Sequence, residues 1–138
     1  MLIKLARFFR YDDSGWNCKT SRLADPTWDD IENGVRQLNK VQFPFVWLFL
    51  AADAADDEVP DFEVMGGDGD YVMAVTDPNG VHRRFRFPSH SNKWLHVWTS
   101  DQGCEMEEKF VCHDVDFVLR VLRRYADTGE LEPSAVLE

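Results

Sequence analysis

The residues with the chemistry to react or to bind a metal are few, and their spacing is unhelpful. Cys112 and His113 adjoin, as a nucleophile and its base would, but neighbours on a strand point to opposite faces and cannot hydrogen-bond to each other. The four histidines, His82, His90, His96 and His113, form neither a His-x-x-x-His nor a His-Glu-x-x-His spacing. His82 and His96 fall on separate expected strands and could meet in space as a metal pair, although hydrogen-bonded sheet histidines are the ordinary outcome. Gly66-Gly67-Asp68-Gly69 has the glycines of a phosphate loop but lacks the Gly-Lys-Ser/Thr ending and a following helix, and its aspartate repels phosphate. A tight hairpin with positive φ is expected there instead. Asp68 and Asp70 alternate as calcium ligands do, without the rest of an EF-hand series. No serine lies in a Gly-x-Ser-x-Gly elbow. Cys18, Cys104 and Cys112 are odd in number with no Cys-x-x-Cys, which argues against a disulfide framework or a zinc ribbon. The residues point to a non-enzyme with no catalytic or metal site and no cofactor.

The elements that would carry these residues read as follows. A strand is expected over residues 2–10 and a loop over 12–25. A first helix is capped by Asp25 or Thr27, with Pro26 in its first turn and acids at Asp29, Asp30 and Glu32, where the helix dipole favours anions. Trp28, Ile31, Val35 and Leu38 share one of its faces. Residues 45–50 are apolar on both alternating faces, as in a central strand covered on both sides. Strands are expected over 62–65 and 71–76, over 81–87 after the turn Asp77-Pro78-Asn79-Gly80, and over 94–99 and 105–112. A last helix is capped by Asp114, carries Val115, Val118, Leu119, Leu122 and Tyr125 on one face, and stops at Thr128-Gly129. The fold class is α+β: a mostly antiparallel five- to seven-stranded meander, N-terminal strand first and long C-terminal helix last. Both helices pack on one face, and the other is left partly open.

Length and composition bound the rest. The 138 residues fit a single domain. Eighteen aromatics (10 Phe, 5 Trp, 3 Tyr) exclude disorder throughout. The longest apolar run, residues 43–52, has ten residues with Pro44 inside; a membrane-spanning helix needs about 20. The N-terminus does not read as a signal peptide, so a cytoplasmic protein is expected. A net charge of −10 argues against general attraction to nucleic acid or anionic lipid.

That charge is concentrated. Eight acids, Asp53, Asp56, Asp57, Glu58, Asp61, Glu63, Asp68 and Asp70, fall in one segment with no Lys or Arg among them. They read either as a solvated acidic loop or as one docking patch for a basic partner, which would raise the association rate. Trp94 and Trp98 share a strand face with His96, as core residues or as anchors for a partner.

Three stretches in this order, Pro26-Thr27-Trp28-Asp29-Asp30-Ile31-Glu32, then Val64-Met65-Gly66-Gly67-Asp68-Gly69-Asp70-Tyr71-Val72, then Tyr125-Ala126-Asp127-Thr128-Gly129, resemble the first-numbered immunity-protein family of bacterial polymorphic toxin systems over roughly residues 26–132. The resemblance implies a small α+β inhibitor that binds a cognate toxin domain, often a nuclease or nucleic-acid deaminase. On that expectation Asp53, Asp56, Asp57, Glu58, Asp61, Asp68 and Asp70 steer the toxin, and Tyr71, Trp94 or Trp98 anchors it. The free protein is a monomer or a homodimer. The rival expectations are an adaptor or chaperone-like module for another basic protein, and a small ligand-binding domain with a pocket near His82, His96 or Cys112.

Overall fold

The computed structural model describes residues 1–89, 91–100 and 103–138. The main sheet has seven strands, all antiparallel, in the order β2-β1-β3-β4-β5-β6-β9. They are β1 (Leu5–Tyr11), β2 (Cys18–Ala24), β3 (Phe45–Phe49), β4 (Phe62–Gly67), β5 (Asp70–Thr76), β6 (His82–Arg86) and β9 (Val136–Leu137). Helix α1 (Trp28–Arg36) follows β2, and α2 (Val115–Thr128) precedes β9. The α+β meander with two helices is thus the fold. A separate two-stranded sheet, β7 (Trp94–Trp98) with β8 (Cys104–Glu107), completes it.

Strand alternation divides the core into layers. Ala6, Val46, Leu48, Phe62, Val64, Met73, Val75 and Phe85 point to the helix face. There they pack against Ile31 and Val35 of α1 and against Val118, Leu119, Leu122 and Tyr125 of α2. The Tyr125 ring lies 4.9 Å from Phe62, and burial pushes its phenol up to about 12. On the opposite face Met65 and Val72 pack under Val97 and Met106 of the β7–β8 layer. Leu5 and Phe49 pack under Ala54 of the β3–β4 connection. The second face is therefore more fully covered than the helix count implies.

The caps follow from the sequence. Thr27, rather than Asp25, caps α1, in a reciprocal box with Asp30. Asp114 accepts hydrogen bonds from the N–H groups of Asp116 and Phe117. Gly129 ends α2 in the left-handed region, with φ +75°, donating to the Tyr125 carbonyl.

Three expectations are corrected. Residues 18–24, read as loop, form β2. All seven residues are exposed, so no buried side chain marks the strand; its ladder with β1 alone defines it. The strand expected over 105–112 ends at Glu107 and becomes a 3₁₀ turn, Glu108–Phe110, closed by the Val111 N–H on the Glu108 carbonyl. This turn buries Phe110 and Val111 together, where a strand would send them to opposite faces. The strands over 94–99 and 105–107 leave the main sheet to lie across it. The short β9 was not anticipated.

Candidate partner-binding surfaces

The eight clustered acids do not make one patch. Asp53, Asp56, Asp57 and Glu58 lie on the connection leaving β3, and Asp68 and Asp70 lie at the turn that joins β4 to β5. The six residues of β4 separate the two groups, a span of roughly 20 Å at about 3.3 Å per residue. Salt screens exposed charges over about 8 Å at physiological ionic strength, so the two ends act independently. The single docking lobe expected from the sequence is corrected to two sites at opposite ends of the sheet.

Several of the acids are already engaged. Asp56 pairs with Arg22 at 2.5 Å. Asp61 accepts the Leu50 N–H at 2.8 Å, and Glu63 faces His82 at 3.7 Å. Asp70 is shared between Lys40 at 2.5 Å and His113 Nδ1 at 2.9 Å. Asp53, Asp57, Glu58 and Asp68 are exposed and form no ion pair among the described residues.

The 50–60 connection is held down by groups distant in sequence. Arg7 is buried, and its Nη1 donates to the Asp56 carbonyl at 2.9 Å. Arg22 Nη2 donates to the Ala54 carbonyl at 2.7 Å. Ala54 is buried against Leu5 and Phe49, and Thr76 Oγ1 donates to the Pro60 carbonyl at 2.8 Å. The guanidinium of Arg7 lies over the rings of Phe9 and Trp47, at 5.0 and 5.4 Å from their centroids. The result is a fixed platform on which Asp53, Asp57 and Glu58 stand beside the exposed apolar Leu50 and Val59. Neither arginine was singled out in the sequence. Their alternation on β1 and β2 gives no sign that they reach a loop more than 30 positions away.

The aromatic candidates separate. Tyr71 is buried in the helix-side core and its backbone bridges Cys112, so it is structural and not an anchor. Trp98 packs edge-on against Phe45, with ring centroids 5.3 Å apart, at the margin of the second core. Trp94 is 58% exposed at the other end of β7. Trp94→Ala is expected to leave stability within about 0.5 kcal/mol, as exposed substitutions do, whereas Trp98→Ala costs roughly 2 kcal/mol or more. Thermal melts of the two variants check this, and equal losses would contradict the placement.

The histidines and cysteines remain apart. His82 meets Thr76 and Glu63, His96 meets Glu105 at 3.2 Å, and His113 lies between Asp70 and Glu108. His90 lies outside the described residues. Cys112 is buried, which pushes its thiol up, and its Sγ donates to the Asp114 carbonyl. His113 turns outward toward Asp70, so the adjacent Cys and His face apart. Among the described residues no three His, Cys, Asp or Glu side chains converge on a metal position.

The glycine cluster is a turn. Asp68 and Gly69 both have positive φ, +51° and +91°, as a two-residue hairpin of type I′ requires. Gly66 and Gly67 precede it because backbone crowds them: a Cβ on Gly67 would sit 2.3 Å from the Leu38 carbonyl.

Compared with known protein families, curated proteins and solved structures, the chain matches none. No described helix is long and apolar enough to cross a membrane.

Proposed function

We propose that the chain is an immunity protein that binds a cognate bacterial toxin, a nuclease or nucleic-acid deaminase, and blocks it with the 50–60 platform. The observation that supports this reading most directly is the set of three carboxylates, Asp53, Asp57 and Glu58, that form no ion pair among the described residues and stand on a connection fixed by Arg7 and Arg22. A toxin that handles nucleic acid carries a basic cleft for phosphates. Fixed carboxylates present such a cleft with negative charge in place of phosphate, and a pre-ordered loop loses little conformational freedom on binding. Leu50 and Val59 add apolar contact beside the charges, where binding energy concentrates. Asp56 serves as a clamp, and the Asp68–Asp70 turn belongs to a different surface.

Co-expression with the toxin encoded by the adjacent gene tests the proposal. Cells are expected to survive, and the two chains to co-purify as a complex. Death of cells that contain folded, soluble inhibitor, with no complex formed, overturns it.

A further inference from the structure

The chain carries −10 overall, yet two cations without a carboxylate partner adjoin at one edge of the sheet. Most of its bases pair with carboxylates, among them Arg120, Arg123 and Arg124 of α2, which meet Glu132, Asp127 and Glu130. Lys4, Arg7, Arg10, Lys19, Arg84 and Lys93 have no carboxylate partner among the described residues, and of these Arg10 and Lys19 form a cross-strand pair. Arg10 and Lys19 are direct cross-strand neighbours on β1 and β2, both exposed, with the guanidinium of Arg10 5.9 Å from the Phe43 centroid.

That edge is open. Asp25 N–H bonds the Lys4 carbonyl and Asp12 N–H bonds the Asn17 carbonyl, and both pairs continue the β1–β2 register. Hydrogen-bonded pairs alternate along an antiparallel ladder, so Lys19, Ser21 and Leu23 bond β1, and Thr20 and Arg22 turn their backbone N–H and C=O outward. Among the described residues no further strand covers them, since β2 is the terminal strand of the sheet. The strand has neither proline nor bulge.

A groove runs beside this edge. On the helix face β2 extends past α1, and two adjoining cavities of about 300 and 230 Å³ share Phe8, Ser21 and Gln37. The first also takes in Arg10, Lys19 and Phe43, and the second reaches Leu23. Gly34 lets α1 approach so closely, because a Cβ there would sit 2.3 Å from the Phe8 ring. The groove thus has an aromatic floor, with Arg10 and Lys19 at one end and Asp30 at the other, and Asp12 and Asp13 share a neighbouring cavity with the two cations.

We propose that β2 is a docking edge for an extended segment of a partner protein, added antiparallel as an eighth strand, with an acidic side chain at Arg10 and Lys19 and apolar ones over Phe8 and Leu23. Main-chain bonds to Thr20 and Arg22 would supply affinity, and the groove selectivity. Charge favours such a partner over a second copy of this chain. Paired with itself, β2 offers no acid to Arg10 and Lys19, because Cys18–Ala24 contains neither Asp nor Glu. The inference is independent of the toxin reading, since it concerns a different edge and a partner segment of opposite charge.

The test uses the full chain and a phage-displayed library of random ten-residue peptides. Enriched sequences are expected to alternate apolar residues with at least one Asp or Glu, and the synthetic peptide of the strongest clone to bind. Thr20→Pro removes an outward N–H without taking a bond from β1, and is expected to weaken that peptide at least tenfold. Arg10→Glu with Lys19→Glu, both exposed and harmless to folding, is expected to switch the selected charge from acidic to basic. Three results overturn the proposal: no acid-bearing sequence is enriched, the selected peptide binds both variants as well as it binds the natural chain, or sedimentation shows a dimer that Thr20→Pro converts to monomer. The last places a second copy on the edge.

Discussion

Gly67→Ala is expected to destabilise the protein by about 3 kcal/mol or more, lowering its melting temperature by roughly 10 °C. The added Cβ would lie 2.3 Å from both the carbonyl carbon and oxygen of Leu38 and 2.4 Å from the Asn39 nitrogen, all of them backbone atoms. They cannot yield separately. Gly67 bridges Asn39 across the chain, the Lys40 N–H bonds the Gly66 carbonyl at 2.9 Å, and the Asn39 N–H bonds the Phe43 carbonyl at 3.0 Å. The segment that follows α1 must therefore lift off β4. At φ +129° an L-residue is strained even without the collision. Gly69→Ala is the control. Its φ is +91° but nothing lies within 4 Å of the added carbon, so only the conformational cost of roughly 1–2 kcal/mol remains. Thermal melts decide. If the two variants lose the same stability, the close approach of residues 38–39 to β4 is wrong.

The second large effect is kinetic. Asp53→Lys, Asp57→Lys and Glu58→Lys together are expected to slow association with the toxin by roughly 10- to 100-fold at low salt, and to flatten the dependence of the on-rate on ionic strength. These three carboxylates form no ion pair among the described residues, so reversing them alters the outward field without breaking an ion pair of the described fold. Asp56 is left out because its partner is Arg22, and its loss would loosen the platform and so act on the dissociation rate. Asp68→Lys, on the turn at the other end of β4, should leave the on-rate nearly unchanged, because its distance exceeds the screening length. Stopped-flow mixing over a salt series measures both. A triple variant that associates as fast as the natural chain removes the platform from the interface. Slowing by Asp68→Lys of equal size would mean that both ends of the sheet face the toxin.

Much of the fold was legible in the residues. Thr27, Asp114 and Gly129 cap helices because their side chains or backbone freedom satisfy groups within three or four positions. The core stripe of α2 and the doubly apolar β3 follow from alternation and period alone. The hairpin at Asp68-Gly69 follows from positive φ. Each of these is a local effect. β2 was missed for the complementary reason: Cys18–Ala24 buries nothing, and its only evidence is a partner strand. Tyr71 was mistaken for a surface anchor because an isolated aromatic beside a glycine turn carries no mark of which sheet face it will occupy.

The candidate site divides along the same line. The amino-acid order alone fixed the net charge, the crowding of acids between positions 53 and 70, and the elements that flank them. Only the tertiary structure decided which of those acids are free, because Arg22, Lys40, His82 and His113 reach theirs across strands, far along the chain. It also decided that the acids stand at two ends of the sheet, since a strand between two charged loops holds them apart by its own length. Side-chain type and helical or strand period act over a few residues; ion pairing, burial and separation depend on where distant segments come to rest.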